Sequence, residues 1–257
     1  MASGSQLIVQ LLWASGLLGL AVGIAAWQRL ENWIGLGLAG LRAGLQLFVF
    51  SYLLAMVFVL RDPMVCLVAI GLFGLIAALL LRNQLSVRLP LLPLTCVALG
   101  LGVTVPLIYA VIFVVQPPVW YQPQILLPLS GIVLVNASSG GLIAADRLIQ
   151  SLTYNTTTIE AALCLGSSSS QAIEGYRRDA IQAALGPHMA ALGIVGLGLL
   201  PTFMAGELLG GIDPFKAAVL QLLVMFMSLV ATLITVLCLC GGIRRLFFSE
   251  ADQLRQW

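Results

Sequence analysis

Long apolar runs separated by short polar stretches are the feature that most constrains this chain. A transmembrane helix needs about 20 mostly apolar residues, and seven runs of roughly that length occur in the sequence. Because the runs are continuous rather than alternating, they argue against a membrane β-barrel. The sequence therefore predicts an all-α, polytopic membrane protein. The predicted spans cover residues 6–27, 33–60, 64–81, 89–115, 124 to about 145, about 188–211, and 214–242.

Composition supports the same class of protein. Hydrophobic residues make up 60% of the 257 residues and charged residues 9%, whereas a soluble domain carries about 25% charged residues. Asp62-Pro63 and Asp213-Pro214 precede the third and seventh runs, and Asp followed by Pro is typical of a capped helix start. The first run lacks both a preceding basic region and a small-residue cleavage site, so we expect a retained span rather than a signal peptide.

The distribution of basic residues predicts an orientation, because arginine and lysine are enriched in cytoplasmic loops. The extracellular side would hold only Arg61 and Lys216. We therefore expect the N-terminus outside the cell and the C-terminus inside. The predicted cytoplasmic set is Arg29, Arg82, Arg88, Arg147, Arg177, Arg178, Arg244, Arg245 and Arg255.

A polar segment at about residues 147–187 separates the fifth and sixth runs and is predicted to be a cytoplasmic helix-turn-helix. Thr157 with Glu160, and Ser168 with Gln171, each match a capping box, and Gly166 is placed to end the first helix. The second helix is amphipathic and is predicted to end near Gly186-Pro187, where the sixth span would begin. Two interpretations fit this pattern: a solvated loop with an interfacial helix, or a docking surface for a soluble partner.

No catalytic motif stands out in the chain. The single lysine, Lys216, does not belong to a phosphate-binding Gly-Lys-Ser/Thr loop, and the single histidine, His188, excludes a paired-histidine zinc site. A nucleophile elbow is absent as well. The sequence therefore favours transport over enzymatic chemistry.

Polar side chains inside predicted spans are the candidates for a substrate pathway, because each is costly in lipid unless it faces protein or water. Hydrogen bonding between helices is an equally good interpretation for Gln46, Asn136 and Gln221. Glu207 is the hardest of these residues to explain by packing, which favours a role in the pathway. The candidate pathway residues are Gln46, Asn136, Met204, Glu207 and Gln221.

Several stretches resemble a seven-span family of ABC-transporter permeases, which includes the bacterial Fet-type iron exporter and the plant aluminium-sensitivity permeases. The most distinctive is "LGLLPTFMAGELLGGIDPFKAAVLQLLVMF", and "WQRL", "LRAGLQL", "VNASSGG" and "IEAALCLG" match other blocks in order. The departures include Glu207, where the family commonly has Gln, and Ser139, where it has a second Asn.

The resemblance implies a single permease domain over residues 1–257, working as a homodimer in the inner or plasma membrane. A separate ATPase subunit would bind ATP, and this chain would bind no cofactor. The implied cargo is a metal such as iron, with export as the direction, and Glu207 with the nearby Met204 thioether would be compatible with such an ion. UDP-glucose export, or a secondary transporter or channel without an ATPase, remain the alternatives. The implied ATPase-coupling residues are Glu160, Ala161, Ala162, Gly166, Arg177 and Arg178.

Overall fold

A computed structural model describes residues 4–28, 33–60, 62–85, 91–197, 200–249 and 253. Four arginines used to predict the orientation, Arg29, Arg61, Arg88 and Arg255, lie outside the described residues. The chain divides into two compact units, Met1–Leu60 and Arg61–Trp257. Within the described ranges the regular secondary structure is helical, with no β-strand.

The first unit is a pair of helices, α1 (Gly4–Trp27) and α2 (Trp33–Leu60). Both match the bounds of the first two predicted spans closely. The two helices approach each other where Gly40 of α2 meets Leu18 of α1, because a Cβ at Gly40 would collide with the Leu18 side chain.

The second unit contains the remaining helices arranged around α5 and α10. These two helices pack along each other, and α10 also packs against α4 and α8. The largest fully buried side chains of this core include Leu148, Ile149, Val236 and Leu239. The elements are α3 (Pro63–Gln84), α4 (Leu92–Tyr109) with a π-helical turn (Ala110–Val115), α5 (Pro123–Tyr154), α6 (Thr156–Cys164), α7 (Ser169–Ala172), α8 (Glu174–Ile194), α9 (Thr202–Leu209) and α10 (Pro214–Phe247).

Five stretches of helix are long and apolar enough to cross a membrane: α2, α3, Leu92–Val115, α5 and α10. Leu12–Trp27 of α1 is a shorter apolar helix. The protein is therefore a polytopic all-α membrane protein, as predicted. The count of seven spans and the orientation stay predictions.

Both predicted aspartate caps are present. Asp62 Oδ1 accepts a hydrogen bond from the Met64 N–H (2.8 Å), with Pro63 in the first turn of α3. Asp213 Oδ2 accepts from the N–H groups of Phe215 (3.0 Å) and Lys216 (3.3 Å) at the start of α10. Each carboxylate satisfies backbone donors that have no partner within the helix.

The sixth predicted span is not one helix. α8 begins in the polar segment and continues through Gly186-Pro187 to Ile194, so the prediction that the amphipathic helix ends there is wrong. Gly186 has no Cβ to clash with the proline ring, which removes part of the steric penalty on a helical residue before proline. The helix breaks later, around Gly196 (φ +81°), and α9 begins after Pro201.

Candidate functional site

A cleft of about 370 Å³ lies in the second unit, among α5, α8, α9 and α10. It occupies the place where the sixth predicted span is interrupted, with Val195 and Pro201 on its wall. Apolar residues of the same helices make up the rest of the lining. The polar side chains of the lining are those of Asn136, His188, Thr202, Gln221 and Ser228.

One face of α10 carries a stripe of four polar side chains and one methionine. The stripe is Gln221, Met225, Ser228, Thr232 and Thr235, whose alternating spacing of four and three residues keeps them on one side of a helix. Thr232 and Thr235 are completely buried, and Ser228 is 3% exposed. Four of these side chains hydrogen-bond to a different element, so the stripe joins α10 to its neighbours.

Asn136, predicted as a pathway residue, lies on the cleft wall. Its Nδ2 donates to the Ile132 carbonyl (2.9 Å) and to Ser228 Oγ of α10 (3.3 Å). The amide is thus held in one orientation by its own helix and by the facing one. Neither bond uses Asn136 Oδ1, which keeps its lone pairs for other partners.

His188 lines the cleft, whereas in the sequence alone its significance was that a single histidine excludes a paired-histidine zinc site. A 2.9 Å hydrogen bond joins His188 Nε2 to Thr232 Oγ1, linking α8 to α10. The imidazole is half-buried. The sequence signal for this contact is weak: Thr232 follows Ser228 by one helical turn in a largely apolar run.

Gln221, another predicted pathway residue, is 8% exposed and also lies on the cleft wall. Its Oε1 accepts a hydrogen bond from the backbone N–H of Met204 (3.2 Å). Pro201, the residue that precedes α9, supplies no side-chain cap. Gln221 therefore caps the broken sixth span from the neighbouring helix, and Met204 meets it through the backbone.

Glu207 and Gln46 lie elsewhere. Glu207 is not among the residues lining the cleft, and its Oε2 atom is buried without a hydrogen-bond partner among the described residues. Gln46 is exposed on α2 of the first unit. Within the described ranges, no three His, Cys, Asp or Glu side chains cluster in a way that could hold a metal ion.

In the polar segment, the first predicted capping box is wrong. Thr157 already lies inside α6, which begins directly after Asn155 with no side-chain cap. The reason is that α5 continues to Tyr154 and leaves a single residue, Asn155, between the two helices. The Asn155 side chain donates back to the Ser151 carbonyl (2.9 Å) and so closes α5 instead of opening α6.

The other two local signals are confirmed. Gly166 ends α6 with φ +89°; its N–H donates to the Leu163 carbonyl (3.0 Å), and the Ser167 N–H donates to the Ala162 carbonyl (3.1 Å). This pair of bonds is a Schellman motif. Ser168 and Gln171 then form the predicted reciprocal capping box at α7.

The surface of α6 divides into a buried anchor and an exposed face. Ile159 and, after the turn, Ile173 are each 1% exposed and attach the segment to the core. Glu160, Ala161 and Gly166 are exposed, and Ala162 is half-buried. Leu165, which the sequence argument did not select, is 87% exposed beside Gly166.

The two predicted coupling arginines face different surroundings. Arg178 is exposed and forms an ion pair with Glu174 one turn earlier (2.6 Å). Arg177 is half-buried, and its Nε has no hydrogen-bond partner among the described residues. Arg178 is therefore available to a partner, whereas Arg177 lies against the core.

Sequence comparison assigns relatives along nearly the whole chain. The UPF0014 membrane protein slr1647 of Synechocystis sp. is 37% identical over 243 residues, which cover 94% of each chain. The probable iron export permease protein FetB of Escherichia coli is 27% identical over 215 residues, 83% of this chain and 81% of that protein. The UPF0014 membrane protein STAR2 of Oryza sativa subsp. japonica is 28% identical over 242 residues, 94% and 84% of the two chains.

No solved structure matches this chain. The family model of the uncharacterised protein family UPF0014 matches residues 8–248. This range includes α6 and the four helices around the cleft. The chain therefore belongs to the UPF0014 family of membrane proteins.

Proposed function

We propose that this protein is the permease subunit of an ABC transporter that exports a metal such as iron. The observation that carries the proposal is its similarity, over 83% of the chain, to a protein named as an iron export permease. The permease would work as a homodimer with two copies of a separate ATPase subunit, in the plasma or inner membrane. Nucleotide would bind to the ATPase, and this chain would carry the cargo.

The exposed face of α6 is the proposed ATPase docking surface. Glu160, Ala161, Ala162 and Gly166 surround a turn whose backbone is fixed by the Schellman motif and the capping box that follows it. Small residues allow close approach, and the charges of Glu160 and Arg178 add specificity. Seven spans, with the N-terminus outside, would place this surface in the cytoplasm.

Motion of the docking surface would reach the cleft through α8. This helix begins in the polar segment that carries the proposed docking surface, called the docking segment below. It ends at the cleft, where His188, Ala191 and Leu192 form part of the wall. Closure of the ATPase dimer on α6 would displace α8 and change access to the cleft from either side. Gln46, Asn136, Met204, Glu207 and Gln221 are the proposed pathway residues.

Co-purification tests the partner. The permease is expressed with the ATPase encoded beside its gene, and the amount of ATPase retained on the tagged permease is measured. Glu160→Lys should abolish retention because it reverses the charge at the docking surface, and Glu160→Gln should reduce it less. Gln182→Lys serves as the matched control, since Gln182 is an exposed position of α8 outside the proposed surface.

ATP hydrolysis by the reconstituted complex tests the cargo. Ferrous iron should stimulate hydrolysis in the wild-type complex, and the stimulation should be lost in Glu160→Lys. A permease that never retains an ATPase in either detergent or lipid would instead be a secondary transporter or a channel. Hydrolysis that is indifferent to metal ions would reject iron as the cargo.

A further inference from the structure

We propose that His188 is a cargo-binding residue of the cleft and that its Nδ1 ligates a divalent first-row transition-metal ion. Asn136 Oδ1 and the Met225 thioether complete the set of ligands from this chain. The proposal rests on the proposed function and names the contact between the permease and its cargo. It replaces Glu207 as the metal contact with a residue that lies on the cleft wall.

The positions of the two main ligands follow from their hydrogen bonds to α10. Asn136 donates to Ser228, and His188 bonds to Thr232. Ser228 and Thr232 are four residues apart, and side chains at this spacing lie about 6 Å apart on one helical face. The amide and the imidazole are therefore held beside the same wall, one turn apart.

Met225 belongs to the same face. It precedes Ser228 by three residues, is half-buried and lines the cleft together with Asn136 and His188. A thioether on a flexible, unbranched side chain can move toward a bound ion more easily than a backbone-anchored group can.

The hydrogen bond to Thr232 determines which imidazole nitrogen is free. A metal-binding histidine donates its second ring N–H to a neighbouring acceptor, which fixes the tautomer and the ring orientation. In the tautomer that carries its proton on Nε2, Nε2–H donates to Thr232 Oγ1 and Nδ1 keeps its lone pair, and we assign this tautomer to His188. Asn136 is arranged in the same way, because its bonds to Ile132 and Ser228 both use its N–H group and neither uses its carbonyl oxygen.

The donor set determines the class of ion. Imidazole nitrogen suits iron, cobalt, nickel and zinc, whereas magnesium and calcium prefer carboxylates and other hard oxygen ligands. The residues that line the cleft include no aspartate or glutamate. Neutral ligands hold a cation weakly, which suits a transported ion that must leave the site again.

Cobalt(II) binding to the purified permease alone tests the proposal. Co²⁺ is an air-stable probe for a ferrous site, and the protein carries an affinity tag that contains no histidine. Equilibrium dialysis should show Co²⁺ binding in preference to Mg²⁺. His188→Gln should weaken Co²⁺ binding at least about tenfold, as should Thr232→Val through loss of the ring's partner. Met189→Leu, an exposed neighbour on α8, is the control and should bind normally.

A second measurement avoids any variant. Because the chain contains one histidine, acylation by diethylpyrocarbonate, followed by the ultraviolet absorbance of the modified imidazole, reports on His188 alone. Co²⁺ should slow this acylation in the wild-type protein, and Mg²⁺ should not.

Equal Co²⁺ affinity in the wild type and His188→Gln, or acylation that Co²⁺ does not slow, would overturn the proposal. Both measurements omit the ATPase. Failure here therefore leaves the ABC assignment standing, and failure to find an ATPase partner leaves metal binding at His188 measurable.

Discussion

The docking segment and the cleft are built in opposite ways. In the docking segment, each shaping hydrogen bond joins residues three to five positions apart, as in the Gly166 turn and the Ser168–Gln171 box. In the cleft, Asn136 and Ser228 are 92 positions apart, His188 and Thr232 are 44 apart, and Met204 and Gln221 are 17 apart. The first region depends on its own sequence, and the second depends on correct packing of α5, α8 and α9 against α10.

This difference sets what each region tolerates. A substitution in the docking segment should change one turn and leave the rest of the protein folded. A substitution at a helix contact along the stripe of α10 should weaken several elements together. Four variants, three of them with a matched control variant, compare the two regions from the largest expected effect to the smallest.

Gly102→Ala should cause the largest loss. A Cβ at Gly102 would lie 2.9 Å from the Ala231 carbonyl oxygen of α10 and would also collide with the Thr235 side chain. Overpacking of this kind costs about 1–3 kcal/mol. Thermal unfolding in detergent should show a lower Tm for Gly102→Ala. Gly100→Ala on the same helix is the control, because its Cβ would meet no atom within 4 Å.

Gly166→Ala should have a smaller and more local effect. The φ of +89° is in the left-handed region, where a residue with a Cβ costs about 1–2 kcal/mol. Limited proteolysis of the α6–α7 turn should become faster, with little change in overall Tm. Gly175→Ala is the matched control, because Gly175 lies inside α8 with open space around it. A global loss of stability in Gly166→Ala would contradict the local character of this region.

Gln221→Leu should destabilise the start of α9 by about 1 kcal/mol, because the Met204 N–H loses its acceptor. Hydrogen exchange of the Met204 amide should become faster. Leu222→Met is the paired control, since Leu222 is an exposed position on α10 and the change keeps its side chain apolar. Unchanged exchange at Met204 would mean that another acceptor replaces Gln221.

Arg178→Ala should change stability least. The pair with Glu174 is exposed, at 73% and 54% for the two side chains, and pairs of this kind on a helix contribute about 0.3–0.5 kcal/mol. Tm should hardly move, whereas ATPase retention should fall if Arg178 belongs to the docking surface. Equal retention in Arg178→Ala and the wild type would remove this residue from the coupling set.

The sequence predicted the local features well, and physical reasons explain why. Asp62, Asp213, Gly166 and Ser168 act through neighbours within a few residues, so short patterns identify them. The error at Thr157 has the same origin. Its capping pattern is genuine, but α5 runs on to Tyr154 because Leu148, Ile149 and Leu152 continue its buried face.

The cleft could be predicted only in part. Asn136 and Gln221 stand out as amides within apolar runs, and both line it. His188, Ser228 and Thr232 are recognisable only once α5 and α8 are placed against α10, because each is a single polar residue without a motif. The sequence does not identify Leu165 either, because nothing local distinguishes an exposed leucine from the buried ones around it.

The helix α8 is continuous, but it can bend more easily at one position than at the others. Pro187 has no N–H, so the Ala183 carbonyl lacks its usual donor one turn later, and α8 can bend there more easily than elsewhere. This point lies between Arg178, which is exposed, and His188, which lines the cleft. A helix with a single flexible point transmits a displacement along its axis, but it bends when it is displaced sideways. If the proposed ATPase presses on α6, the direction of the force, and not only its strength, should therefore determine how far the cleft wall moves.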